Sequence, residues 1–324
     1  MPRPRFLDLT DRGLSTLGQE VLPVLYRHRL LTAGQLTQLL RPAATSTRYL
    51  RRQLEVLHAR GLVDASVRRS SRAGELLWYV TATGCEVVEG GGELTPRAYR
   101  MTEDAAASPL QEHTLAVNTM GIAFVEHARR LGDECGPLDW DPELAHRVRD
   151  GDSRLGDEAF LVPDAVLRYV HTTDGGGERQ RMLLTFFCEI DRATMSIARL
   201  AAKLHAYARY ARYIPQPPPG RSRSKTAGGG YRREAWRARY PSFPRVLLVL
   251  DGASAGQLAK RADDLRALAS ADARLQPAAA DLKAGVTTLD QLQRHGPFAP
   301  IVMPVLGDAE PTDVLLRAPA ATAA

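Results

Sequence analysis

Three carboxylates stand where they could do chemistry together. Asp164 sits in the apolar run Leu161-Val162-Pro163-Asp164-Ala165-Val166-Leu167, and Glu189 and Asp191 close the run that starts at Leu183. Both runs have strand length and are rich in branched and aromatic residues. The link between them, Thr172 to Glu178, carries three consecutive glycines, which accept the positive φ of a tight hairpin turn. In a strand, residues two apart share a face, so Glu189 and Asp191 should project together. Antiparallel pairing would bring Asp164 beside them, because one strand begins where the other ends. Carboxylates that converge repel one another and need a cation or a basic side chain. Their hard oxygens suit Mg²⁺, which makes Asp164, Glu189 and Asp191 the candidate metal set. The alternative is a structural network in which arginines pair with the same acids.

The elements that must position these acids follow from the flanking pattern. A helix over Leu110 to Leu131 precedes them and another, Arg192 to Tyr213, follows, with Ile197, Leu200, Leu204 and Tyr207 at helical spacing. Val246 to Leu250 reads as a buried strand, Gln257 to Ala269 as a helix and Pro300 to Leu306 as a last strand. Residues 214–240 hold a proline-rich stretch and a glycine triplet around Arg221-Ser222-Arg223-Ser224-Lys225, the composition of a flexible basic insertion.

The N-terminal part has a different character. Leu14 to Tyr26 reads as a helix, Thr32 caps a second one ending before Pro42, and Arg48 to Arg60 forms a third with Leu50, Leu54 and Leu57 on one side. A hairpin follows, its tip running Arg68-Arg69-Ser70-Ser71-Arg72-Ala73-Gly74. Helix, helix, basic helix and basic-tipped hairpin is the order of a winged helix-turn-helix, an α+β module. Such a module puts the N-terminal residues of its third helix against base edges in the major groove. Thr45, Ser46, Thr47, Arg48, Arg51 and Arg52 are therefore the candidate DNA contacts on the helix, and Arg68, Arg69 and Arg72 those on the wing. From Glu20 to Glu75 there are ten basic and four acidic residues, so this segment alone carries a charge equal to the +6 of the whole chain. The bland reading of the same arginines is a solvated helix face on a dimerisation module.

Composition narrows the rest. At 324 residues, 44% of them hydrophobic, the chain has room for two domains with real cores. Cys85, Cys135 and Cys188 are far apart and have no metal-ligand spacing, as expected in a reducing cytosol. No signal-peptide pattern and no apolar run of membrane-spanning length is present, so no membrane partner is expected. The sequence holds no P-loop, no Gly-x-Ser-x-Gly elbow, no His-Glu-x-x-His helix and no compact histidine pair of the kind nicking relaxases use.

The second half resembles the PD-(D/E)XK nuclease-like fold through Val162-Pro163-Asp164 and Glu189-Ile190-Asp191-Arg192. Taken with Tyr26 to Leu40 and His113 to Asn118, the chain over about residues 15 to 310 resembles the replication-relaxation family of actinobacterial plasmid and mobile-element proteins. The resemblance implies DNA handling in plasmid replication or transfer. In nucleases of that fold two acids hold Mg²⁺ and a lysine helps activate water. Here Asp191 stands at the lysine position, so a catalytic reading moves the basic role to Lys203 or Arg192. Arginine is a poor proton acceptor, which favours Lys203.

The expectations are then an α/β chain overall, with a winged helix-turn-helix at 14–89, a linker at 90–109, a nuclease-like α/β domain at 110–310 and a disordered tail at 311–324. The expected function is double-stranded DNA binding in plasmid or mobile-element replication or transfer, with a non-catalytic nuclease-like domain, in the cytoplasm on nucleoid or plasmid. The alternatives are a Mg²⁺-dependent endonuclease using Asp164, Glu189, Asp191 and Lys203, and a structural accessory protein that binds a replication or transfer protein. A homodimer is compatible with either DNA-handling reading.

Overall fold

The computed structural model describes residues 13–97, 99–150, 159–175, 178–216, 233–278, 281–307 and 310–316. They form two compact units, residues 1–142 and 143–324, and the chain is of mixed α/β class.

In the first unit α1 spans Thr16–His28 and α2 spans Ala33–Leu40. Thr32 caps α2 as its position suggests, its hydroxyl accepting from Gln35 N–H while the Gln35 side chain accepts from Thr32 N–H. Between the two helices lies β1, Leu31–Thr32. α3, Arg48–Ala59, buries Leu50, Leu54 and Leu57 and little else. Gly61, at φ +67°, turns the chain out of α3, a conformation open to glycine without steric penalty. β2, Val63–Val67, and β3, Leu76–Val80, form the hairpin, and β1 pairs with the other side of β3 to give the order β1–β3–β2. α4, Ala82–Gly90, is held close beneath this sheet. A Cβ at Gly84 would stand 2.0 Å from the Leu62 carbonyl oxygen, so only glycine fits there.

Residues 90–109, expected as a linker, are packed. Leu94 is buried and a short helix, α5, spans Glu103–Ala106 with Ala106 fully buried. The Arg97 N–H donates to the Tyr26 hydroxyl at 2.9 Å, and the Arg100 guanidinium donates to Glu89 at 2.8 Å. The long helix α6, Gln111–Leu131, expected to open the second domain, lies in the first unit. Its Asn118 side chain donates to the carbonyls of His28 and Leu30, and Gln35 donates to the Leu115 carbonyl. These buried side chains bond α6 to the α1–β1 bend and to α2, and their own polar groups are paired inside the core. The unit ends at β4, Trp140–Pro142, where Trp140 stacks on His28.

The second unit is built on a mixed sheet. After β5, His146–Arg147, and β6, Phe160–Leu161, come β7, Ala165–Gly175, and β8, Glu178–Asp191. α7 spans Ile197–Arg212, β9 Arg245–Leu250, α8 Ala255–Ala271, β10 Ala284–Thr288, α9 Leu289–His295 and β11 Met303–Pro304. The strands run in the order β11–β10–β9–β8–β7; β7 and β8 are antiparallel, and β8, β9 and β10 are parallel. Arg-Val-Leu-Leu-Val-Leu of β9 is almost continuously buried, as a central parallel strand covered on both faces must be. Phe187, Val246, Leu248 and Leu250 on one face pack with Leu204, Tyr207 and Leu265 of α7 and α8.

Two expected loops are partly anchored. Residues 217–232 of the basic insertion lie outside the described residues, but Trp236 after them is buried and donates to the Ala211 carbonyl at 3.0 Å. In the expected tail, Thr312 bridges Val302 through backbone hydrogen bonds, and Val314 and Leu315 are buried. Residues 317–324 lie outside the described residues.

Candidate functional site

The two groups of residues that the sequence marks out lie in different units. On α3, the burial of Leu50, Leu54 and Leu57 leaves Arg48, Arg51 and Arg52 exposed, with Thr45 and Ser46 exposed ahead of them and Thr47 half-buried. Ser46 accepts from the Arg48 N–H at 3.2 Å; Thr47, the N-cap residue, makes no capping bond. The first-turn N–H groups of α3 thus lack the Thr47 cap, and three guanidinium groups stand at or near the surface around them.

The tip of the β2–β3 hairpin is less free than its composition implies. Arg68 donates through Nε and Nη2 to the two oxygens of Glu112, each at 2.8 Å, and through Nη1 to Glu75 at 2.9 Å. Glu112, burial opposing it, and Glu75 together hold the guanidinium pKa above its ordinary value. Ser70 also donates to Glu112, the Arg69 N–H donates to Gln111, and Gln111 donates to the Val67 and Ala106 carbonyls. Arg68 is therefore a strut that ties the β2–β3 hairpin to α6, and its charge is already matched by two acids. Arg69 and Arg72 stay exposed. Glu112 and Gln111, at the start of α6, position the hairpin.

In the second unit the acids separate into two sets. Glu189 is buried, 2% exposed. Its Oε2 accepts from Lys203 Nζ and its Oε1 from the Tyr207 hydroxyl at 2.5 Å. Lys203 and Tyr207 are four residues apart, so α7 presents both to the same carboxylate. Asp164, just before β7, accepts from the Ile190 N–H at 2.7 Å. Burial, reinforced by the Asp164 charge, pushes Glu189 up to about 7 against the opposing pull of Lys203 and Tyr207. Burial works against the Lys203 ammonium, but Glu189 and Asp164 outweigh it and raise its pKa. Tyr207 is pushed well above its ordinary value by burial and by Glu189.

Asp191 belongs to the other set. It is 3% exposed and pairs with Arg261 of α8, whose guanidinium also donates to the Met195 carbonyl. The other carboxylate oxygen of Asp191 is buried without a hydrogen-bond partner. Arg192 lies 3.8 Å from Asp251, away from Glu189's bonding set. At the same bend a Cβ on Gly252, at φ +79°, would press to 2.9 Å from the Arg192 carbonyl oxygen.

This arrangement brings Asp164, Glu189 and Lys203 together but assigns Asp191 to an arginine. Both Glu189 oxygens are taken by donors, one Asp164 oxygen is taken by a backbone N–H, and one Asp191 oxygen is taken by Arg261. Among the described residues no three His, Cys, Asp or Glu side chains are grouped to hold a metal ion. The donors as arranged do not fit the expected three-carboxylate Mg²⁺ site, and no reaction step follows from it.

A family model described as replication-relaxation matches residues 22–222. The match spans more than half of the chain, and the chain belongs to the replication-relaxation family. Membership points to a role in the replication or transfer of plasmids or mobile elements. No curated protein and no solved structure matches the chain significantly. No helix among the described residues is long and apolar enough to cross a membrane.

Proposed function

We propose that the protein binds double-stranded DNA in plasmid or mobile-element replication or transfer. Its first unit acts as a winged helix-turn-helix, and its second as a nuclease-like scaffold without catalysis. The observation that carries the reading is α3: its apolar stripe faces the core, and the exposed surface of its N-terminal part carries Arg48, Arg51 and Arg52. A helix of that kind fits the major groove, with phosphate contacts setting affinity and base contacts setting sequence. The scaffold reading rests on Glu189, whose oxygens are both engaged inside the protein, and on Asp191, which holds Arg261.

The test is fluorescence anisotropy of the full chain on labelled duplex DNA across a salt series. Binding that weakens linearly in log salt supports the reading, and no binding at low salt overturns it. A nicking assay on supercoiled plasmid with Mg²⁺ tests the scaffold separately. Cleavage by the wild-type chain that disappears in Glu189→Gln would show the second unit to be catalytic.

A further inference from the structure

α3 carries one residue that does not suit a purely electrostatic surface. At 3.6 residues per turn, Arg48, Arg52, Glu55 and Ala59 fall on one stripe, opposite Leu50, Leu54 and Leu57. All four are exposed, so this stripe is the outermost line of the helix. Arg51 and His58 flank it on one side, Tyr49 and Val56 on the other, and Tyr49 and Val56 are 47% and 38% exposed. Glu55 thus sits at the centre of the surface that a groove would cover. Arg51 and Arg52 lie one turn before it, yet Glu55 takes part in no ion pair among the described residues.

An unpaired carboxylate pressed towards a polyanion costs binding energy at every phosphate. It offsets that cost only where it accepts a hydrogen bond. In the major groove the donors are exocyclic amino groups, and cytosine N4 is the one that carboxylates usually read. The neighbouring arginine on the same stripe suits guanine, whose O6 and N7 accept a guanidinium in two bonds. We infer that Glu55 is a specificity-determining residue of this chain: it accepts from a cytosine amino group while Arg52 reads a nearby guanine. The inference rests on the DNA-binding reading and names the class of sequence it selects, a site with a cytosine and a guanine in adjacent register. Arg51, on the flank, contacts phosphate.

The experiment is selection of duplexes from a randomised library by the full chain, followed by anisotropy on the selected site, on single-base variants of it and on random duplex. The proteins are wild type, Glu55→Ala, Glu55→Gln and Arg51→Ala. Glu55 is exposed, and the melting temperature of each variant confirms its fold. The expected result is a wild-type preference for cytosine at one position, worth about 5- to 150-fold. Glu55→Ala should lose that preference and bind random duplex more tightly, having shed a negative charge. Glu55→Gln should move the preference at that position towards adenine, whose N6 and N7 suit an amide. Arg51→Ala should weaken all duplexes alike. A wild-type preference that survives unchanged in Glu55→Ala overturns the inference and leaves DNA binding standing. Equal wild-type affinity for every sequence also overturns the inference alone. Failure of the wild type to bind any duplex overturns both.

Discussion

Arg68 and Glu112 lock together through two parallel hydrogen bonds, Nε to Oε1 and Nη2 to Oε2, each 2.8 Å long. The pair joins the β2–β3 hairpin to the first turn of α6 across 44 residues of sequence. A guanidinium held this way by two acids has little charge left for phosphate, which separates Arg68 from Arg69 and Arg72 on the same hairpin.

Arg68→Ala should therefore leave the slope of log affinity against log salt unchanged, while Arg69→Ala and Arg72→Ala each reduce it by about one unit. The same Arg68→Ala change should destabilise the first unit by about 1–2 kcal/mol, because a two-point, partly buried pair exceeds an ordinary surface ion pair. Anisotropy in a salt series and a urea melt check the two halves. A lowered salt slope in Arg68→Ala would restore it to the DNA-contacting set.

Changing Arg48, Arg51 and Arg52 together to Ala should weaken duplex binding and flatten its salt dependence by about two units, at about 0.9 for each phosphate contact expected of Arg48 and Arg51. None of the three is buried, so the melting temperature should hold. The outcome that counts against α3 as the DNA-facing helix is an unchanged slope.

Glu189 gives a pH signature. Its folded pKa, about 7, lies above the ordinary value of 4.5, so the folded state holds a proton that the unfolded chain releases. The stability this contributes is fully present below about pH 4.5 and is lost as pH rises through about 7, on the order of 1–3 kcal/mol. Glu189→Gln, which cannot ionise, should flatten the fall over that window. Chemical denaturation at pH 5 and pH 8, for wild type and variant, measures the difference. Equal pH dependence in the two proteins would mean that Glu189 ionises in the fold as readily as in water.

Asp191 and Arg261 form a buried pair whose halves are unequal to lose. Arg261→Met should leave the Asp191 carboxylate buried without its cation and destabilise the second unit by about 3–5 kcal/mol. Adding Asp191→Asn to the same chain should recover part of that loss, because the stranded charge is gone. Guanidinium melts of the single and double variants decide it, and additive losses would argue against the pairing.

The sequence shows α3 clearly, because Leu50, Leu54 and Leu57 repeat at helical spacing in a short stretch, and it places Thr32 at a helix start. It also allows Lys203 to approach Glu189, since a helix directly follows β8. Tyr207 was legible as a buried residue, and its four-residue spacing from Lys203 was the signal that it shares the same carboxylate. The assignment of Asp191 was not legible. Its partner lies 70 residues away on α8, and strand alternation says which face a side chain takes but not which helix waits there. The partners of Arg68 were hidden for the same reason, since local composition counts a charge without showing the acid that meets it. Residues 90–109 and 311–316 look like linker and tail because their anchors are a few separate side chains, not a periodic stripe.

The C-terminal edge of the sheet bears on self-association. β11 is only two residues long, and its neighbour segment is held by the Val302–Thr312 bridge, while a Cβ on Gly285 of β10 would run into Val302 and Leu316. This side of the sheet therefore offers another chain very little straight backbone to pair with. Cutting the protein before residue 300 would uncover β10, a five-residue strand with four buried positions, and turn a short, capped margin into a sticky one. The C-terminal strap guards this margin of the sheet against edge-to-edge aggregation.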